Sequence, residues 1–496
     1  MAAKEEQTAK IEAGAGSRLD RQLFHGIAWM AVVRWAAQGI SWVGTFYAAH
    51  RLTPGNYGVV GMATLPIGLF RVAEEFGLDA VLIQDRTLSR DQQARLAGLA
   101  LLIGFFLCLG FVAASGRIAA FNHEPIVTAL VCALSVTFIL DALQILPRAT
   151  LQKELRFRTL ALVRAFQFLT SAITLVTCAR LGLGPWSLVL ASIVASIAVT
   201  LALVRLAPYQ IAWPRNLATI ARPIVAGWRT LVSRVTWYGY SNGDQFLIGR
   251  VLGKDALGAY QFSMTFSGLP IQEITSVVSG VIPGVFSEVQ SRVAELRRYF
   301  LLLTEAMFYL SAPAAVGLAL TADRVVHIAL GPQWEAAILP FRLLCFYYAV
   351  YAAQTLVSQV LLWTGHFRAN MWFSLLGSIV LIGGFAFTVR SGLEAVAWCW
   401  VIVYPLVSLP SLILAGRILA MKVREFFAVL LPAVVACAAM SIVVVLVRRE
   451  FSGGMSDLPA LAVEAVSGAT TYVLVLAILY RRRVLKILRT VFLRQA

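Results

Sequence analysis

Charge is scarce in this chain. Only 14% of its 496 residues are Asp, Glu, Lys or Arg, against about 25% in ordinary soluble proteins. Apolar residues make up 59%, against roughly 45–50%, and the mean hydropathy is +0.78. So few polar groups cannot clothe a water-facing surface. That excludes a soluble enzyme and a disordered chain, and leaves lipid as the solvent. The six cysteines, Cys108, Cys132, Cys178, Cys345, Cys399 and Cys437, each stand alone in an apolar run with no CxxC. They read as small packing residues, which excludes a disulfide scaffold. The five histidines form no HxxxH pair, so neither a metal site nor a cofactor is expected. The first apolar run, from about Leu23, carries Arg34 and lacks a small-residue cleavage site, so a removable signal peptide is not expected. Gly249-x-x-x-Gly253-Lys254-Asp255 is one spacer short of a phosphate loop and has Asp where Ser or Thr must hold magnesium. A built-in ATPase is therefore excluded. No long polar stretch offers the catalytic loop that a polysaccharide polymerase or ligase needs.

What the chain does have is fourteen apolar stretches of spanning length, each about 20 residues. They run over 23–49, 56–78, 95–115, 125–146, 159–179, 185–205, 223–249, 256–284, 299–320, 334–363, 369–389, 393–415, 426–447 and 460–480. The expected fold is an all-α polytopic membrane protein with tails at 1–22 and 481–496. Basic residues give the orientation. With the N-terminus in the cytoplasm, cytoplasmic segments hold 27 Lys and Arg and outer loops hold 9, the other six of the 42 lying within spans. This bias follows the positive-inside rule. An even number of spans puts the C-terminus, with Arg481, Arg482 and Arg483, in the cytoplasm as well. The net charge of +17 is then topology signal and attraction to anionic lipid, and no nucleic-acid partner is needed.

The chain also repeats itself. At an offset of 200, Arg34 matches Arg234, Gly39 matches Gly239, Ser41 matches Ser241, Phe46 matches Phe246, Gly58 matches Gly258 and Gly68-Leu69 matches Gly268-Leu269. At an offset of 210, Phe157-Arg158 matches Phe367-Arg368, and Arg180-x-Gly182-Leu183 matches Arg390-x-Gly392-Leu393. Six spans separate the copies, so both face the same way. The expectation is two parallel six-helix bundles, residues 23–222 and 223–425, forming a V around a central cavity, with two extra helices over 426–480. Such parallel repeats place a substrate site between the halves near mid-membrane.

A charge inside the bilayer costs at least ~2.5 kcal/mol, so each requires a partner or a wet cavity. Arg34, Gln38, Ser41 and Thr45 share one face of span 1. Span 7 repeats the pattern with Arg234, Tyr238, Ser241, Asp244 and Gln245. One reading is a hydrated cavity lined by a guanidinium from each half. The other is packing pairs with Asp141, Asp244, Glu273 or Glu305. For Arg71 pairing is the stronger reading, because Glu74 and Glu75 lie one turn away, although it stays among the cavity candidates. Arg164 and Arg342 sit in the first third of their spans and either snorkel or face the cavity. Arginine's planar fork suits phosphate oxygens, so such a cavity favours an anion over a cationic drug. Trp228, Trp237, Tyr238 and Tyr240, with Phe346, Tyr347, Tyr348 and Tyr351, either line a sugar site or anchor helices at the interface.

The run Asp244 to Tyr260, DQFLIGRVLGKDALGAY, resembles the central signature of Wzx-type polysaccharide flippases of the multidrug/oligosaccharidyl-lipid/polysaccharide exporter superfamily. So do Leu52 to Gly58, LTPGNYG, and Leu151 to Arg158, LQKELRFR. The likeness covers essentially the whole chain. It implies a bacterial inner-membrane flippase, not an enzyme, that moves undecaprenyl-diphosphate-linked oligosaccharide to the outer leaflet for capsule, O-antigen or exopolysaccharide assembly. Related lipid II flippases place arginines in the central cavity, and Arg34 matches such a position. Substrate binding would then fall to Arg34, Gln38, Ser41, Arg71, Arg164, Arg234, Tyr238, Ser241 and Arg342. Coupling to a proton or sodium gradient would fall to Asp244, Glu273 or Asp141. The expected partners are the lipid-linked substrate, the bilayer, a polysaccharide polymerase and a chain-length regulator. The competing readings are a cation-coupled drug or small-solute exporter of the same superfamily and a scaffolding protein of an envelope assembly machine.

Overall fold

The computed structural model describes residues 36–74, 82, 88–214, 238–239, 241–289, 292–452 and 454–483. These residues are helical throughout, with short connections and no strand among them. That is what lipid demands, since a helix satisfies its own backbone polar groups. In chain order the long helices are α1 (residues 36–51), α2 (Pro54–Glu74), α3 (Arg90–Asn122), α4 (Ile126–Lys153), α5 (Phe157–Arg180) and α6 (Trp186–Leu206). There follow α7 (residues 241–251), α8 (Lys254–Val289), α9 (Val293–Leu320), α10 (Ile338–Trp363), α11 (Phe367–Thr388), α12 (Leu393–Ile418), α13 (Val423–Val447) and α14 (Asp457–Leu479). A short helix, Ala322–Ala329, joins α9 to α10. Among the described residues ten helices, α3–α6 and α9–α14 with their flanking turns, are long and apolar enough to cross a membrane. Expected spans 1 and 7 extend beyond the described residues, as does the tail at 1–22.

The chain divides into two compact units. One comprises Met1–Leu52 and Met62–Gly239, the other Thr53–Gly61 and Tyr240–Ala496. The second therefore holds α13 and α14 and the first two turns of α2.

The internal repeat reappears as matched backbone hydrogen bonds. At the end of α4, the amide N–H groups of Glu154, Leu155 and Arg156 donate to the carbonyls of Thr150, Gln152 and Leu151. At the end of α10, those of Thr364, Gly365 and His366 donate to Val360, Leu362 and Leu361. Every donor and acceptor is displaced by 210. The residue that turns the chain has a positive φ in both copies, Leu155 at 56° and Gly365 at 81°. Gly182 (73°) and Gly392 (107°) likewise precede α6 and α12. Leucine in this left-handed region is strained by roughly 1–2 kcal/mol. Leu155→Gly is therefore expected to hold or raise the melting temperature of the purified protein, whereas Gly365→Leu should lower it.

Two glycines the repeat pairs also meet in space. A Cβ on Gly58 would fall on the carbonyl oxygen of Lys254, and a Cβ on Gly258 on the carbonyl oxygen of Pro54. Pro54 and Lys254 are themselves 200 apart. The starts of α2 and α8 thus cross backbone to backbone in a self-matching contact inside the second unit. Tyr57, beside Gly58, packs edge-on against Phe262 and the fully buried Trp334, with ring centroids 4.8 and 5.3 Å away.

Candidate functional site

Polar side chains gather among the apolar helices of both units. In the first unit α2 carries Leu65, Gly68 and Arg71 about a turn apart. Tyr238 reaches across to α2 and its hydroxyl donates to the Leu65 carbonyl at 2.9 Å. The bare Cα of Gly68 makes room for it, because a Cβ there would stand against the Tyr238 hydroxyl. Arg71, close enough to act electrostatically on Tyr238, turns toward α4. Its Nε lies 2.9 Å from Asp141 Oδ2, and its Nη2 donates to Thr137 Oγ1 at 2.9 Å. The Arg71 side chain remains 43% exposed and that of Asp141 29%, around a contact whose Nε and Oδ2 atoms are buried. Nη1 has no hydrogen-bond partner among the described residues. Arg71, Tyr238 and Asp141 were separate expectations of the sequence, and the fold brings them together.

The side chains of Glu74 and Glu75 lie outside the described residues, and among those described the carboxylate that Arg71 meets is Asp141 of α4. On α1, Gln38 and Ser41 are half-buried, and the Thr45 hydroxyl donates to the Ser41 carbonyl of its own helix at 2.9 Å. Arg164 is exposed on α5. Arg34 and Arg234 lie outside the described residues, as do Trp228, Trp237 and Tyr240.

In the second unit Asp244 is fully buried. Tyr260 Oη donates to its Oδ2 at 2.6 Å and Trp400 Nε1 at 2.8 Å, and the Gln245 amide donates to Oδ1 at 2.8 Å. Trp400 belongs to an aromatic cluster with Phe385, Tyr347 and Tyr404, ring centroids 5.1, 4.5 and 6.1 Å away. The aromatics expected to line a site or anchor helices therefore divide. Tyr347 and Tyr348 are buried, while Phe346 is exposed. Tyr348 packs where a Cβ on Gly268 would stand, repeating in this unit the arrangement of Gly68 and Tyr238. Ser241 and Glu273 are half-buried. Glu305 is used by Tyr309, whose hydroxyl donates to it at 2.8 Å, and by Arg483 at 3.7 Å.

Arg342 joins an ion-pair network at one end of the second unit. Its Nη2 donates to Asp323 Oδ1 at 3.2 Å, and Arg448 Nη1 donates to the same carboxylate at 3.3 Å. Arg448 also grips the fully buried Glu464 of α14 with both arms, at 3.1 and 2.7 Å. Arg324 adds a third guanidinium, 3.1 Å from Glu464 and 3.5 Å from Asp457. Sequence reasoning missed this network. Its signal was the lone carboxylate in the last apolar stretch, with Arg448 and Arg449 just before it.

Three comparisons with known proteins bear on this arrangement. A family described as "Polysaccharide biosynthesis protein" matches residues 49–339. The teichuronic acid biosynthesis protein TuaB of Bacillus subtilis is 24% identical over 431 residues, covering 84% of this chain and 88% of its own. The lipopolysaccharide biosynthesis protein WzxC of Escherichia coli is 22% identical, covering 66% and 67%. The succinoglycan biosynthesis transport protein ExoT of Rhizobium meliloti is 21% identical, covering 76% of each chain. Among solved structures, the lipid II flippase MurJ in an inward closed conformation superposes with a TM-score of 0.78 at 13% identity, over 92% of this chain and all of that one. An inward-facing multidrug transporter of the MATE family, in the MOP superfamily, gives 0.61 over 79% of this chain and 98% of that one. The fold is the one these exporters share.

Proposed function

The chain belongs to the polysaccharide biosynthesis protein family, and from that membership we propose that it is a flippase for undecaprenyl-diphosphate-linked oligosaccharide in the bacterial inner membrane. The observation that carries the reading is the half-buried Arg71–Asp141 pair beside Tyr238 in a largely apolar bundle. A guanidinium held by one carboxylate and one hydroxyl keeps donors for a diphosphate oxygen. Sugar hydroxyls crossing hydrocarbon unpaired would each cost roughly 4–8 kcal/mol, so a headgroup must travel along a polar path. Arg34 and Arg234, which the repeat matches, are the proposed further diphosphate ligands, with Gln38, Ser41 and Ser241 facing the sugars. Alternating access carries the headgroup across while the polyprenyl tail stays in lipid. The names of TuaB, WzxC and ExoT support a surface-polysaccharide cargo, and that of MurJ a lipid-linked one. The bias of basic residues supports cytoplasmic termini.

Asp244 is the proposed coupling group. It is a buried acid held by hydrogen-bond donors, with no cation in contact among the described residues. Glu273 is the second choice.

Complementation of a deletion strain tests the site. Arg71→Ala is expected to cut surface polymer at least tenfold at normal protein level, and Arg71→Lys to restore part of it. Polymer at the wild-type level in Arg71→Ala would overturn the site. Asp244→Asn should remove the dependence of transport on a proton or sodium gradient. A drug exporter on the same fold would instead leave polymer intact on deletion and raise drug susceptibility.

A further inference from the structure

The first unit gathers two guanidinium groups at one helix corner that the transport site does not use. Gly44 of α1 packs directly on Ala172 of α5, the Cβ it lacks falling 3.1 Å from that of Ala172. The two helices are far apart in sequence, yet this close approach brings their C-terminal ends to the same height. Arg51 ends α1 and Arg180 ends α5. Both converge on Tyr47, one turn after Gly44. Arg180 Nε donates to the Tyr47 hydroxyl at 3.0 Å. The guanidinium carbons of Arg180 and Arg51 lie 5.2 and 5.9 Å from the centre of its ring. Both arginines are exposed, and no carboxylate among the described residues pairs with either.

Two like charges brought together this way repel, so the corner gains from an anion between them. The repeat shows that the fold does not require it. Arg390 matches Arg180 at the same turn into the next helix, but the residues matching Tyr47 and Arg51 are Leu247 and Val251. The second copy therefore lacks the ring on which the first gathers its two charges.

The surroundings say what kind of anion. Leu181 is 70% exposed and Leu183 41%, and on α1 Val43 is 70% and Ile40 48% exposed. Val43 and Ile40 lie along α1 on the mid-helix side of the guanidiniums, with Leu181 and Leu183 in the turn beyond them, so acyl chains can lie against α1 below a bound phosphate. Arginine forks bind phosphate oxygens in pairs, and basic residues at a membrane surface favour anionic lipid. We propose that Tyr47, Arg51 and Arg180 form a binding site for the phosphate of an anionic phospholipid headgroup. The site does not rest on the transport reading.

Native mass spectrometry of the detergent-purified full chain, titrated with dioleoyl phosphatidylglycerol, tests it. Wild type is expected to retain the lipid about tenfold better than Arg51→Gln/Arg180→Gln, and about threefold better than Tyr47→Leu, which keeps both charges but loses the ring that gathers them. Arg390→Gln, which removes the matching charge from the second copy, should bind as wild type. Phosphatidylcholine should show no difference among these proteins. Retention of phosphatidylglycerol at the wild-type level in both the double variant and Tyr47→Leu overturns the site. So does inorganic pyrophosphate binding that depends on Arg51 and Arg180 while phosphatidylglycerol binding does not, because the ligand would then be a soluble anion. If the double variant does not fold, Tyr47→Leu alone decides the matter.

Discussion

A single methyl group added at Gly58 or at Gly258 is expected to remove folded protein from the membrane. Each Cβ would stand on a main-chain carbonyl, of Lys254 in one case and Pro54 in the other, and a carbonyl oxygen cannot rotate aside as a side chain can. Overpacking of a well-filled core typically costs 1–3 kcal/mol, occasionally more, and here the crossing must open along with Tyr57, Phe262 and Trp334. Gly58→Ala and Gly258→Ala should each reduce the yield of monodisperse purified protein at least fivefold. Gly110→Ala is the control, because nothing lies within 4 Å of its added Cβ. Equal yields of all three would show that the helices do not cross as described.

Glu464→Ala is expected to cost about 3–5 kcal/mol, the range for breaking a buried ion pair from one side. Glu464 is fully buried and holds both Arg448 and Arg324. Its loss leaves two guanidiniums to share Asp323 and the more exposed Asp457. The other end of α13 is held by Arg297, which pairs with Glu425 and donates to the Ala420 carbonyl at 2.9 Å, so α14 is the helix that should loosen. Thermal unfolding in detergent would report it, and Arg449→Gln, at a side chain 83% exposed, should not move the transition. An unchanged transition in Glu464→Ala would remove the clamp. The network also responds to acid. Burial tends to raise the Asp323 carboxyl, but the Arg448 and Arg342 guanidiniums and its own amide outweigh burial and hold it below the usual value of 3.8. Its contribution is complete above that value and is lost as pH falls through the lower folded one. The Asp323 arm of the network should therefore hold until the pH falls below 3.8.

Much of this architecture is legible in the residues. Apolar run length marks the helices because lipid accepts little else, and matched Gly, Arg and Ser in register expose the duplication. The same register identifies Gly58 with Gly258, and the structure turns that match into a physical contact. Partner choice is another matter. Helical spacing offers Arg71 the carboxylates of Glu74 and Glu75, but nothing in it announces Asp141 of α4, seventy residues on, because spacing says which residues share a face and not which helix that face meets. Asp244 stands out as an acid within a span, but its partner Trp400 is 156 residues away and reads locally as one more aromatic. The α14 clamp joins Arg448 and Glu464, sixteen residues apart, to Asp323 and Arg324 far upstream, so the local pair shows only part of it. Arg51 and Arg180 look like ordinary helix-end charges until Gly44 and Ala172 bring their helices together.

The central claim is that lipid-linked oligosaccharide crosses the membrane through this protein. It is tested most directly by deleting the gene and locating that intermediate with a membrane-impermeant sugar-modifying probe. Undecaprenyl-diphosphate-linked oligosaccharide is expected to accumulate on the cytoplasmic face, shielded from the probe in intact spheroplasts, while surface polymer disappears. Intermediate that reaches the outer face at the wild-type rate, with polymer unchanged, would contradict it.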